Sequence, residues 1–308
     1  MLSHMVPRLV CFLAISTTVF GAASDCDRAC LRNTLDQYLN AVIKHDPASA
    51  PLFVGFRQTE NAVVVLPGKG VWQSVTGLGK MQRRYLDPVS GQAAYFGIVE
   101  EGENLAIVTA RVRVENRKIT EAEWYIDRKG DPGLNGPQEP GKPAGNFFDT
   151  ENLTANPPLA KAATKEGRVS REAMIAITNS YFDGITTHDG SIIIAWPGCA
   201  RTENGALVTG RPGRNGGGVS DCTSGLQTIN IENVAGRRYL IADEEASVVL
   251  AMGVFIRKPG TTTRRNAFSE WFFIENGKIR SIYSAMFYPS PEAPVPNWPP
   301  YDGNWPLH

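Results

Sequence analysis

The sequence YLNAVIKHD at residues 38–46 returns as YFDGITTHD at residues 181–189, which is 143 positions later. The triplet Thr-Glu-Asn that starts at residue 59 returns at residue 202 with the same offset. Ordered identities at one fixed offset are typical of a duplication. The chain is therefore predicted to contain two copies of one unit, at a spacing far longer than the repeat of a solenoid.

Each copy begins with a helical pattern and continues with strand patterns. Apolar residues at helical spacing predict a helix over residues 27–44, and its equivalent over residues 171–186. Asp46 and Asp189 are then placed to cap a second short helix. Strands are predicted at residues 93–100, 105–115 and 118–127 in the first copy and at 238–243, 247–258, 268–275 and 278–288 in the second, with a tight hairpin between the last two of each copy. Helices followed by a curled antiparallel sheet predict the α+β class.

The ends of the chain and its middle differ in composition from the two copies. A basic start at Arg8, an apolar run and small residues up to Ala23 are typical of a secretory signal peptide. We therefore expect a secreted protein, extracellular or periplasmic. Proline and glycine predict a middle linker without helix or sheet. The predicted extents are 1–23 for the signal peptide, 24–128 for the first domain, 129–167 for the linker, 168–290 for the second domain and 291–308 for a proline- and tryptophan-rich tail.

Four cysteines remain after removal of the signal peptide: Cys26, Cys30, Cys199 and Cys222. An even number in an exported protein predicts two disulfides, for which three pairings are open. The pairing of Cys26 with Cys30 and of Cys199 with Cys222 is favoured, because each bridge then lies within one copy. The longer loop closed by Cys199 and Cys222 is expected to contribute more stability. Two cysteines per unit without a neighbouring histidine argue against a metal site.

Charge and motifs exclude several classes of partner. Lysine plus arginine equals aspartate plus glutamate, at 31 each, and no basic run stands out, so nucleic acid is not an expected partner. The apolar run at the start is too short for a membrane span. The sequence shows no nucleotide-binding fingerprint and no metal-ligand cluster, so we expect no cofactor.

The order of these elements resembles that of the NTF2-like superfamily, and within it the SnoaL-like and ketosteroid-isomerase-like branch. The resemblance rests on a helix with a tyrosine eight residues before an aspartate, a polar triplet that opens a strand, and a closing hairpin of long strands. It covers residues 25–128 and 168–290. The paired motifs also resemble an exported family of this fold with no firm activity. The resemblance implies two tandem cones, with helices packed in a curved sheet, that pair through their sheets as an internal pseudo-dimer.

The resemblance assigns roles to the tyrosines of the first helix in each copy. It implies that Tyr38 and Tyr181 donate a hydrogen bond to a substrate oxyanion in a dry pocket. The alternative is that each tyrosine only packs the helix against the sheet. His45 and His188 stand at the helix end, where an imidazole could line the rim of the pocket.

The repeated Glu-Asn pair stands where the isomerases keep their general base. Asn61 and Asn204 fall on the base position itself, and an amide cannot take a proton at neutral pH. Glu60 or Glu203 could serve instead if the strand turns it inward, because neighbouring strand residues face opposite sides. The alternative is a turn that opens the strand and is held by polar side chains.

The second copy carries further polar residues on its strands. Glu270 lies near the position of the second, protonated acid of the isomerases, next to Trp271, and apolar neighbours predict a raised pKa. The alternative is that Glu270 faces solvent or the other copy. Arg201 precedes the polar triplet, and Tyr283 is expected to converge on the same pocket.

These patterns predict a cofactor-independent isomerase, dehydratase or lyase that acts by general acid–base catalysis on a small apolar molecule with a carbonyl or hydroxyl group. The alternative is a non-catalytic binding or interaction protein that uses the same pockets. The chain is expected to be a monomer with an internal pseudo-dimer or a homo-oligomer, and the second copy is the favoured active unit. The predicted catalytic residues are Tyr181, His188, Glu203, Asn204 and Glu270, and the predicted binding residues are Tyr38, His45, Glu60, Asn61, Arg201, Trp271 and Tyr283.

Overall fold

A computed structural model describes residues 25–137, 145–160, 162–210 and 219–290. The predicted signal peptide and the predicted tail lie outside these residues. Within them, no helix is long and apolar enough to cross a bilayer.

The first unit opens with helix α1 (Arg28–Ile43), and the Asp27 side chain caps it by accepting a hydrogen bond from a backbone N–H of the first turn. Its apolar face, with Tyr38 among the buried residues, packs against one face of a sheet. Asp46 then caps a single 3₁₀ turn, Pro47–Ser49, as predicted.

Six strands form the sheet of the first unit, and a short helix α2 (Val71–Ser74) precedes the third strand. The spatial order is β2-β1-β6-β5-β4-β3. An antiparallel sheet was predicted. The sheet is mixed instead, because β1 follows the helix and pairs with β6 in parallel. The strands are β1 (Leu52–Glu60), β2 (Val63–Val65), β3 (Gly77–Asp87), β4 (Gln92–Glu101), β5 (Asn104–Glu115) and β6 (Lys118–Arg128).

The connector between the units contains helix α3 (Thr150–Ala155), so the prediction of a segment without a helix was wrong. The Asp149 side chain caps this helix by accepting a hydrogen bond from the Asn152 N–H. Asp149 also donates its own N–H to the carbonyl of Asn204, and the Asn152 side chain donates to the carbonyl of Gly205. A cap and two anchors on the second unit therefore outweigh the surrounding prolines and glycines.

The second unit repeats the topology of the first. Its helix α4 (Arg171–Thr187) is followed by six strands in the order β8-β7-β12-β11-β10-β9, again with one parallel pair, β7 and β12. The α+β class and the two tandem units are thus confirmed, whereas the exact domain limits stay predictions. The strands are β7 (Ala195–Glu203), β8 (Ala206–Leu207), β9 (Ile231–Asp243), β10 (Val248–Arg257), β11 (Asn266–Glu275) and β12 (Lys278–Phe287).

The two sheets pack against each other through the faces that point away from their helices. Apolar side chains of both units form one buried core there, in which the ring centroids of Tyr85 and Trp271 lie 4.8 Å apart. In the same core, Ser269 Oγ donates to Thr109 Oγ1 at 2.9 Å. These two residues are equivalent, since each stands six positions before the glutamate of its closing hairpin. The contact of equivalent residues is what a two-fold axis between the units produces.

Two reciprocal ion pairs join the units across the same axis. Arg28 donates to both carboxylate oxygens of Asp243 at 2.8 and 3.1 Å, and Arg171, its equivalent 143 positions later, pairs with Asp87. Asp87 and Asp243 each accept a further hydrogen bond at 2.9 Å from a backbone N–H of the facing unit. The expected internal pseudo-dimer is thereby confirmed.

Both favoured disulfides are present, Cys26–Cys30 and Cys199–Cys222. Cys199 lies in β7, and both cysteines of this bridge are buried in the core of the second unit. The bridge therefore fixes the described residues around Cys222 to the edge of the sheet.

Removal of Cys199–Cys222 should destabilise the protein more than removal of Cys26–Cys30. The bridges close loops with sequence separations of 23 and 4, so the loop-closure model gives about 3 and at most about 2 kcal/mol. Urea unfolding of the two Cys→Ser double variants without reductant measures both losses. The reverse order would contradict this expectation.

Asp243→Ala should lower the free energy of unfolding by about 3 kcal/mol, because Arg28 and buried backbone N–H groups lose their acceptor. The control is Asp36→Ala, since that side chain is 34% exposed and pairs with Arg84 near the surface. Its loss should stay below about 1 kcal/mol. Urea unfolding of both variants provides the comparison, and equally small losses would show that the pair does not hold the units together.

Candidate functional site

The alternation of side chains along β11 decides which residues enter the second unit. Phe268 and Phe272 belong to the core between α4 and the sheet, whereas Trp271 belongs to the core between the two units. Because strand residues two apart share a face, Glu270 points to the α4 side. Glu270 is fully buried there.

Arg201 and its two carboxylate partners form the centre of this interior. Arg201 donates to Glu270 Oε1 from Nε at 3.2 Å and from a terminal nitrogen at 2.9 Å. Its other terminal nitrogen donates to Glu203 Oε2 at 2.9 Å. Arg201 and Glu203 reach the same interior because they lie two positions apart on β7. The structure therefore brings together three of the predicted site residues.

Two tyrosines complete the cluster. The Tyr288 hydroxyl donates to Glu203 Oε1, and the Tyr181 hydroxyl interacts with the Arg201 guanidinium. An arginine can only donate, so this contact leaves the Tyr181 O–H proton available for another acceptor. Burial raises the pKa of Tyr181, which keeps that proton in place at neutral pH.

Tyr288 was absent from the predicted site, although the sequence holds a signal for it. Ile282 and Met286 of β12 belong to the interior core, as does Tyr288 itself. A period of two along this strand places Tyr288 on the same face. Arg257, which was also missed, is half-buried, and its burial lowers the pKa of its guanidinium.

The Glu270 carboxyl has a charged partner at one oxygen and no hydrogen-bond partner at the other. Burial raises the pKa of its carboxyl to about 7, and the attraction of Arg201 offsets this only in part. Glu270 Oε2 is buried and has no hydrogen-bond partner among the described residues. A carboxyl that ionises near neutral pH, with one oxygen held and the other unpartnered, can give or take a proton.

Between its helix and its sheet the first unit has no such cluster, because Gln58 stands 143 positions before Arg201. Gln58 Oε1 accepts hydrogen bonds from the Tyr38 hydroxyl and from Trp72 Nε1, both at 2.8 Å. Trp124 Nε1 in turn donates to the Tyr38 hydroxyl at 2.8 Å. The predicted binding role of Tyr38 is therefore not supported, since the protein itself uses the hydroxyl.

The interiors of the two units differ at two further equivalent positions. Trp124 stands six residues after the lysine of the first closing hairpin, where the second unit has Ser284. Glu60, the equivalent of Glu203, accepts from Gln58 Nε2 at 2.8 Å and from the Val71 N–H at 2.9 Å, at the start of α2. The predicted binding role of Glu60 is thus replaced by a bond to the helix backbone.

The two asparagines of the repeat hold a turn and do not enter the cluster. The side-chain oxygens of Asn61 and Asn204 accept from the N–H groups of Ile126 and Met286, both at 2.8 Å. Their nitrogens donate to the carbonyls of the same residues at 2.9 and 3.2 Å. Both asparagines have a φ of about +45°, which is typical of a tight turn. The geometry favours the turn that was the alternative, against a catalytic role.

The two repeated histidines end their helices and contact backbone carbonyls. His45 and His188 both have a φ of 56°. His45 Nδ1 lies 2.5 Å from the carbonyl oxygen of Trp72, and His188 Nε2 lies 2.7 Å from that of Ile231. Neither ring contacts the Arg201 cluster, so the predicted roles of His188 in catalysis and of His45 in binding find no support.

Trp271 and Tyr283 were predicted to join the site, and the structure places both on the opposite face of the sheet. Trp271 Nε1 donates to Thr109 Oγ1 of the first unit at 2.9 Å, and the Tyr283 hydroxyl donates to the Asn156 carbonyl at 3.1 Å. The reason is the strand alternation, which gives them the register opposite to Glu270 and Met286. In the part of the chain that the structure describes, no group of three or more histidine, cysteine or acidic residues could hold a metal ion.

Glu270 should make the protein less stable as the pH rises. The pKa of its carboxyl is about 7 in the folded chain and about 4.5 when exposed, so the folded chain binds the proton more tightly. This contribution is complete below about pH 4.5 and is lost as the pH rises through about 7. The wild type should therefore lose about 3 kcal/mol relative to Glu270→Gln, measured by urea unfolding from about pH 4 to 8. Parallel stability curves would contradict the assignment.

Comparison with known proteins gives one family match and several structural similarities. Residues 167–286, in the second unit, match a family model described as a domain of unknown function, DUF8021. No curated protein matches the sequence.

The chain is similar to three solved structures at low identity. One is a protein of unknown function with a cystatin-like fold from Methylobium petroleophilum (18% identity, TM-score 0.29, covering 41% of this chain and 82% of that one). The others are a putative ketosteroid isomerase from Kribbella flavida (13%, 0.30, 41% and 84%) and an NTF2-like protein of unknown function from Burkholderia xenovorans (16%, 0.27, 40% and 88%). The descriptions of the second and third structures agree with the family that the sequence resembles, and none of the three similarities carries an argument about activity.

Proposed function

We propose that the second unit is a cofactor-independent acid–base catalyst of the isomerase, dehydratase or lyase type. Its substrate would be a small apolar molecule that bears a carbonyl or hydroxyl group. The observation that carries the proposal is the Glu270 carboxyl, which is fully buried, has a pKa of about 7 and leaves Oε2 without a partner. A pKa near the working pH suits a group that must both accept and return a proton.

The neighbours of Glu270 take complementary roles in this proposal. Arg201 holds the carboxyl at Oε1 and so directs Oε2 toward the interior. Tyr181 donates its free proton to the oxyanion that develops on the substrate, in surroundings that exclude water. Phe268 and Phe272 supply the apolar surface for the body of the substrate.

The second candidate is a binding protein without catalysis. It is favoured by the pairing of Arg201 with both Glu203 and Glu270, which satisfies the one strong cation of the cluster without a ligand. For either function we propose secretion, and the two disulfides are compatible with an extracellular or periplasmic location. We also propose that the chain works as a monomer whose two units form the pseudo-dimer.

The test is the exchange of α-protons of small cyclic ketones in D₂O, followed by NMR, with cyclohexanone and 1-tetralone as probes. The wild type should accelerate exchange over buffer, with a rate that rises with pH through about 7, because only ionised Glu270 can take a proton. Glu270→Gln should slow the exchange by about a hundredfold or more.

The matched control is Glu60→Gln, which changes the glutamate of the first unit and should leave the rate unchanged. Native mass spectrometry of the protein with 1-tetralone separates the two candidates. Ketone binding that Tyr181→Phe weakens, with no accelerated exchange, would support the binding protein. Absence of both binding and exchange for these ketones would contradict the proposal.

A further inference from the structure

A second site is indicated at the junction of the two units, away from the Arg201 cluster. A cavity of about 320 Å³ lies there, between the first unit, the connector and the second unit. Its lining includes the side chains of four arginines and one glutamate, Glu245. The arginines are Arg28, Arg32, Arg83 and Arg84.

Two of these arginines have their charges matched by carboxylates. Arg28 pairs with Asp243 and Glu245, and Arg84 pairs with Asp36. These ion pairs hold the walls of the cavity in place. The other two arginines of the lining are Arg32 and Arg83.

Arg83 and Arg32 carry the positive charge of the cavity that no carboxylate matches. Arg83 donates to the carbonyl of Pro158 at 2.9 and 2.7 Å and to that of Gln82 at 2.9 Å. Arg32 is exposed. Within the described ranges of the chain, neither guanidinium forms an ion pair with a carboxylate. A planar guanidinium in this state suits a carboxylate or phosphate oxygen.

Tyr85 gives an independent indication of a ligand. It lines the same cavity, is only 3% exposed, and its hydroxyl is buried without a hydrogen-bond partner. A buried hydroxyl without a partner costs free energy, which a ligand oxygen would relieve. Burial raises the pKa of Tyr85, so at neutral pH the hydroxyl is a donor.

We propose that this cavity binds a small organic oxyanion, either a carboxylate or a phosphate ester. The ligand oxygens accept hydrogen bonds from Arg32, Arg83 and the Tyr85 hydroxyl. The site does not depend on catalysis in the second unit, because Tyr85 and the arginines belong to α1 and β3 of the first unit.

The test is isothermal titration calorimetry of the full chain at low ionic strength, with inorganic phosphate and with citrate as separate probes. Saturable binding of one probe identifies the chemistry, phosphate or carboxylate. Arg32→Gln and Tyr85→Phe should each weaken that binding by about fivefold or more. Tyr85→Phe keeps the ring that packs on Trp271, and thermal unfolding checks that the fold is retained.

The matched control is Arg280→Gln, which removes a half-exposed arginine of β12 that does not line this cavity. The affinity of this variant for the bound probe should stay within about twofold of that of the wild type. Absence of saturable binding of both probes would overturn the proposal. Wild-type affinity in either Arg32→Gln or Tyr85→Phe would overturn it as well.

Discussion

The central strands of each sheet are buried on both faces, and this constraint governs the rest of the structure. One face packs on the helix of its own unit and the other on the sheet of the other unit. Long stretches of β4, β10 and β11 are therefore buried at consecutive positions. A sheet of this kind cannot face water on either side, so each unit requires the other. Every polar side chain on these strands must also find a partner in one core or the other.

The two units supply partners for their buried polar side chains in different ways, although their backbones are nearly the same. In the first unit, aromatic rings and Gln58 fill the interior and satisfy one another. In the second unit, Arg201 and two glutamates occupy the equivalent space. A buried group of charges is a poor device for stability, because desolvation of the ions can exceed their attraction. Among the described residues, only the second unit has such a group between its helix and its sheet, in the space that the proposed function assigns to a ligand; the other buried group, Arg111 with Glu121 and Glu123, lies where the two units meet.

The sequence could predict the features that depend on local chemistry. Helix spacing, aspartate caps and hairpin turns are encoded within a few residues, and they predict α1, α4, the short turns after them and the closing hairpins. The first strand of each sheet was missed, because much of β1 is exposed and shows no clear alternation. The strand β3 of the first unit was not predicted either. The helix of the connector was missed because its stability comes from anchors on the second unit, Asn204 and Gly205, which are distant in the sequence.

The candidate site could be predicted only in part, for a related physical reason. The repeat and the apolar neighbours predict Glu203, Glu270 and Arg201 as site residues; the structure brings these side chains together, and their roles stay predictions. On a strand with both faces buried, however, the composition does not show which residues face the helix and which face the other sheet. Trp271 and Tyr283 were therefore placed on the wrong side. For Asn61 and Asn204, the resemblance indicated the position of a catalytic base. In the structure, the oxygen and the nitrogen of each side-chain amide both form hydrogen bonds with the backbone of the last strand.

The fusion of the two units in one chain has a consequence for their association. Two separate subunits that pair through an interface of this kind dissociate as they are diluted, by mass action. Units joined by a connector meet each other at an effective concentration that dilution does not change. The pairing of Arg28 with Asp243 and of Arg171 with Asp87 is therefore independent of how much protein is present. A protein released into a large volume would keep its buried sheets covered at any abundance.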